Sequence, residues 1–83
     1  MLQQTISRTR DYQLLQQIGA NIAYYRKQLG LSQEALAELM GISKAHLGRV
    51  ERGMVVASLP LLFSASEALD ILLKALFDFP QGN

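Results

Sequence analysis

The chain has 83 residues, 49% apolar and 18% charged, with a formal net charge of +1 and no cysteine. That length gives one small domain, which buries only about 60–65% of the surface its unfolded form exposes. The composition fits a folded globule rather than a disordered segment. The missing cysteines exclude disulfides and thiolate metal sites, in keeping with a reducing, cytoplasmic setting. With a single histidine there is no metal-ligand set, and nothing points to a cofactor. The charge is unevenly spread. Up to residue 53 there are seven cations against four anions; beyond it Lys74 stands against Glu67, Asp70 and Asp78. Such asymmetry favours an anionic partner for one end and a protein partner for the other. The N-terminus lacks the apolar core of a signal peptide. The charge-free run at 53–66 is short and broken by Pro60, so no membrane span is expected.

In chain order, residues 1–10 are polar and without clear period, and read as a flexible arm. Arg8 and Arg10 make it weakly basic; it is a frayed terminus, or an arm that reaches a phosphate or the minor groove. Asp11 is placed to open the first helix. Leu14, Leu15, Ile18, Ile22, Tyr25 and Leu29 then recur at spacings of three and four, one apolar stripe of a helix. Gly19 within that stripe marks close approach of a neighbour, and Gly30 stands where a helix stop belongs.

Ser32 is the N-cap of a second helix with Ala35, Leu36, Leu39 and Met40 on one side, and Ala37 placed where helices cross closely. Gly41 takes a sharp turn and Ile42 plugs the core beneath it. Ser43 caps a third helix that points Leu47 and Val50 inward and ends at Gly53. Ser58 caps a fourth, with Pro60 in its first turn. After Asp70, residues 71–77 read as a short fifth helix with Leu72, Leu73 and Leu76; 80–83 is a tail closed by Pro80 and Gly82. The expected fold is all-α, a compact five-helix bundle over residues 11–79.

Residues 33–52 organise the rest. A helix, a glycine at a tight turn, then a helix with a basic outer face is the sequence form of a helix-turn-helix. On the third helix, positions 44, 45, 48, 49 and 52 share the face opposite Leu47 and Val50. Arg49 can donate two parallel bonds to guanine O6 and N7, Lys44 can do so less rigidly, and Ala45 offers a methyl that suits a thymine methyl. Gly48 on that face leaves room for close approach to a groove. Gln33 and Ser43 stand at helix N-termini, where backbone N–H groups favour phosphate.

Taken together, Ile18-Gly19, Ile22, Arg26, Gly30-Leu31-Ser32-Gln33, Leu36-Ala37, Met40-Gly41-Ile42-Ser43, Leu47, Arg49-Val50-Glu51-Arg52-Gly53, Ser58-Leu59 and Ala68-Leu69 resemble the Cro/C1-type (XRE) helix-turn-helix DNA-binding domains. The resemblance covers residues 18–77. It implies a bundle of the phage-repressor DNA-binding-domain type, with the second and third helices forming the helix-turn-helix. It also implies base reading by Lys44, Ala45 and Arg49, and phosphate contacts by Gln33, Ser43, His46 and Arg52. Arg26 and Glu51 match an ion pair that ties the first helix to the third. The chain departs from the family after Gly53, where Met54-Val55-Val56-Ala57 replaces a loop that is usually polar and basic.

Blander readings stand beside these. Lys44 and Arg49 are then solvated surface, and Arg26 with Glu51 two unrelated charges. Ser43 and His46 lie three apart on a helix, but no acid is placed to orient the imidazole, so catalysis is not expected. The apolar excess after Gly53 is in part core. Val55, Val56, Leu61, Leu72 and Phe79 exceed what five short helices can hide, which implies a homodimer through the C-terminal half. The expected function is a sequence-specific regulator of transcription, a repressor bound as a homodimer to an inverted repeat in double-stranded DNA. No sensor domain or small-molecule ligand is evident. The rival is a protein-interaction module or antitoxin-like subunit that keeps the fold; a restriction-modification controller would differ only in genetic context.

Overall fold

The computed structural model describes the backbone of residues 2–79 and the side chains of residues 11–79. Four α-helices, α1 Leu2–Gln28, α2 Gln33–Met40, α3 Lys44–Glu51 and α4 Leu59–Leu69, are followed by a 3-10 helix at Leu73–Phe77. The 80–83 tail and the side chains of Arg8 and Arg10 lie outside the described residues. No helix among those described is long and apolar enough to cross a membrane.

The helix boundaries follow from a small set of local devices, used repeatedly. The serine hydroxyls of Ser32, Ser43 and Ser58 accept the backbone N–H of Ala35, His46 and Leu61 at 3.0, 3.0 and 3.2 Å. Each satisfies one of the donors that a helix start leaves without a partner. The helix ends also share one arrangement, in which two backbone N–H groups turn back onto the last carbonyls. For α2 these are Gly41 N–H to Glu38 O at 3.1 Å and Ile42 N–H to Ala37 O at 3.0 Å. The turn needs a left-handed residue, and Gly41 supplies it with φ 72°. At the end of α4 the same position is held by Asp70, with φ 58°. A short polar side chain tolerates that region better than most, though less freely than glycine.

Two expectations about the elements need correction. The first helix does not begin at Asp11 after a loose arm; it begins at Leu2, and Asp11 lies inside it rather than capping it. Residues 2–10 contain no glycine or proline and several good helix formers, so the helix continues past the part that packs. The fifth helix is not an α-helix: residues 71–77 hold only the 3-10 turn Leu73–Phe77, so the described residues form four α-helices, not five. Leu72 is extended, with φ −71° and ψ 145°, and leaves too few residues for α-helical hydrogen bonds to propagate. Asn21 on α1 fastens this piece, donating from Nδ2 to the Leu76 carbonyl at 2.9 Å.

The core is built from Ile18 and Ile22 of α1, Leu36 and Ala37 of α2, Leu47 and Val50 of α3, Leu62, Ala65 and Leu69 of α4, and Leu76. The apolar stripe of α1 is wider than its buried face: Leu14 and Leu29 stay exposed, and so does Leu39 of α2. Gly19 lies where α1 crosses α3. A Cβ there would fall on the backbone carbonyl oxygens of Val50 and Glu51, so the missing side chain sets how closely the two helices pack.

Candidate nucleic-acid interface

α3 is held from three sides. Leu47 and Val50 sink into the core. Ser43 fixes its first turn through the His46 N–H. At the other end Glu51, with its side chain 5% exposed, receives a two-pronged contact from Arg26 of α1. Arg26 Nε donates to Glu51 Oε2 at 2.7 Å and Nη2 to Oε1 at 3.1 Å. The third prong, Nη1, donates to the Leu31 carbonyl at 2.9 Å. The planar guanidinium therefore joins the end of α1, the start of α2 and the end of α3. Gln33 completes the set by donating from Nε2 to Glu51 Oε1 at 2.8 Å. A buried charge this well paired avoids the penalty of an unsatisfied one.

With the inner face fixed, the outer face is determined. Lys44, Ala45 and Arg49 are exposed on one side of α3, His46 is half-buried beside them, and Arg52 is exposed just past the helix end. The residues assigned to base reading thus lie together, opposite Leu47 and Val50. Ser43 is exposed at the start of the helix. Its oxygen accepts the capping bond, and its hydroxyl hydrogen is still able to donate. Gln33 is half-buried at the start of α2 with its amide on Glu51; an amide nitrogen carries two hydrogens, so one N–H remains for another acceptor.

Gly48 does not open the face as expected. It is buried, covered by the side chains of Arg52 and Gln33. The bond from Gln33 to Glu51 and the cover over Gly48 are what the residue pattern missed. Both depend on how α2 is seated against α3, for which no spacing within one helix is a signal.

The apolar residues beyond Gly53 divide into two groups. Val55, Leu61 and Phe79 are partly buried against the core of their own chain, whereas Val56 and Leu72 are 85% and 69% exposed. Met54, Leu59, Phe63 and Phe77 are exposed as well.

This arrangement, two short helices joined at a left-handed glycine with the second presenting a basic face, coincides with a match to the helix-turn-helix family model HTH_3 over residues 22–76. The chain belongs to the Cro/C1-type (XRE) helix-turn-helix family. Within that family it is similar to the HTH-type transcriptional regulator SinR of Bacillus subtilis, 37% identical over 62 residues that make up 74% of this chain and 56% of SinR. It is also similar to SlrR of the same organism, 40% identical over 62 residues, 74% of this chain and 41% of SlrR. The chain therefore spans about half the length of these curated relatives. Among solved structures, the restriction-modification controller protein C.AhdI from Aeromonas hydrophila superposes with a TM-score of 0.74 at 40% identity. That alignment covers 76% of this chain and 96% of the controller. In this helix-turn-helix protein, α2 and α3 are the pair that names the family, and the Arg26–Glu51–Gln33 network ties that pair to α1.

Proposed function

We propose that this protein is a sequence-specific DNA-binding regulator of transcription that acts as a repressor and binds an inverted-repeat operator as a homodimer. The observation that carries the reading is the exposed trio Lys44, Ala45 and Arg49 on a helix whose opposite face is locked into the core. A short helix held this way can enter a major groove with its side chains already aimed. Lys44 and Arg49 would read guanine edges, and Ala45 a thymine methyl. Gln33, Ser43, His46 and Arg52 would hold phosphates and set the register. The naming of SinR and SlrR as transcriptional regulators supports the general role.

Pairing of two copies would bring two α3 helices to half-sites one helical turn, about 34 Å, apart. The exposed Val56 and Leu72 support a contact through the C-terminal half, with Val55, Leu61 and Phe79 as its partly buried margin. The exposed apolar loop at Met54 and Val56 also favours a second reading, a protein-interaction module or antitoxin-like subunit on the same fold. Selection from a pool of random duplexes separates the two. Enrichment of an inverted repeat with half-sites one turn apart is the expected result. No retained duplex at low salt would overturn the DNA-binding reading and leave the module.

A further inference from the structure

The loop after Gly53 lacks the basic residues usual in the family, yet it begins with a methionine whose sulfur is in use. Arg52 Nε–H donates to Met54 Sδ at 3.4 Å. The same guanidinium lies over Gly48: a Cβ built there would stand 3.2 Å from Arg52 Nη1 and 3.8 Å from Gln33 Oε1. That Gly48 is buried although it lies on the outer side of α3 follows from this cover.

Resting on the DNA-binding reading above, we propose that Gly48 and Met54 are positioning residues for Arg52. Gly48 provides a bare strip of helix across which the guanidinium lies. Met54 holds its Nε–H from the side, so that Arg52 is set beside the Gln33 amide as one phosphate-gripping pair. Glycine is the poorest helix former apart from proline, and here it stands inside a helix of eight residues. Its place there is explained by what lies over it. A thioether is a weak acceptor, but it is carried on a flexible, unbranched chain that can follow an arginine without competing for it as a carboxylate would. An arginine held in place loses less freedom when it meets a phosphate than one that sweeps through solvent.

The test uses the full chain and a duplex obtained by selection from random DNA. Gly48→Ala puts a methyl 3.2 Å from Arg52 Nη1, close enough that the guanidinium has to lift off the helix by a few tenths of an ångström, and because that atom is the far end of a flexible side chain the fold is kept. Alanine is the better helix former, so thermal stability holds or rises while affinity falls severalfold. The slope of log affinity against log salt falls by up to about one, the share of one phosphate contact. Gly48→Ala combined with Arg52→Ala binds no more weakly than Arg52→Ala alone, because both remove the same contact. Met54→Leu, which keeps the volume and loses the acceptor, gives a smaller loss in the same direction. In the free protein, the heteronuclear NOE of the Arg52 Nε–H drops in Gly48→Ala and in Met54→Leu.

Wild-type affinity in Gly48→Ala, a double variant weaker than Arg52→Ala, or unchanged NOE values would overturn the positioning role while leaving DNA binding intact. A wild-type chain that binds no duplex would overturn the DNA-binding reading and this inference with it.

Discussion

Residues 33–52 and the stretch beyond Gly53 are both rich in apolar side chains, yet they spend them differently. In the helix-turn-helix, Leu36, Ala37, Leu47 and Val50 are buried, and the outward positions of α3 are polar or small. Beyond Gly53, Leu62, Ala65, Leu69 and Leu76 are buried, while Met54, Val56, Leu59, Phe63, Leu72 and Phe77 remain exposed. The first region exposes one large apolar side chain, Leu39 of α2, and its remaining outward positions are mostly polar or small. The second keeps apolar surface to spare. The two halves therefore differ in what they leave exposed. The helix-turn-helix offers a charged face, whereas the C-terminal half adds to the shared core and still leaves several large apolar side chains exposed.

That contrast can be broken by substitution, and the largest effect falls on the ion-pair network. Arg26→Ala leaves Glu51 buried with only Gln33 as a side-chain partner and is expected to cost about 3–5 kcal/mol in urea unfolding. A loss below about 1 kcal/mol would mean that the pair behaves as an exposed one. Leu47→Ala empties a fully buried site in α3 and should cost about 2–5 kcal/mol. Gly19→Ala comes next. Alanine favours a helix by about 1 kcal/mol, so a stabilised variant would show that α1 and α3 do not meet as closely as described. Overlap with the Val50 and Glu51 carbonyls instead predicts a lower melting temperature. At the other end of the scale, Val56→Ser with Leu72→Ser should change monomer stability by about 0.5 kcal/mol or less, since both side chains are exposed. The same pair should shift the chain towards monomer in analytical ultracentrifugation. An unchanged sedimentation profile would remove Val56 and Leu72 from any dimer contact.

How much of this was legible in the sequence depended on whether the signal was local. Ser32, Ser43 and Ser58 each mark a helix start because the cap is made within three residues. Gly30 and Gly41 mark helix ends because only the backbone conformation is at stake, whereas a Cβ at Gly53 would also meet Gln16 of α1. The start of α1 was missed because hydrophobic period reports burial, not helicity, and the helix runs on past its packed face. The 3-10 turn at Leu73–Phe77 cannot be told from an α-helix in the sequence because its leucines carry the same pattern either way. Asn21, whose amide reaches the Leu76 carbonyl, gave no signal, since its partner is distant in sequence. Among the site residues, the exposure of Lys44, Ala45 and Arg49 followed from one helix period. The placement of Gln33 on Glu51 and of Arg52 over Gly48 did not, because it needs the register between two helices.

If α3 reads bases through its outward face, Arg49 is the side chain on which that reading chiefly depends. The direct measurement compares wild type and Arg49→Ala on the selected duplex and on a random duplex of equal length at one salt concentration. Base reading by Arg49 predicts a loss of about 1–3 kcal/mol on the selected duplex and a much smaller one on random DNA. Equal losses on both duplexes would contradict it and make Arg49 a phosphate contact.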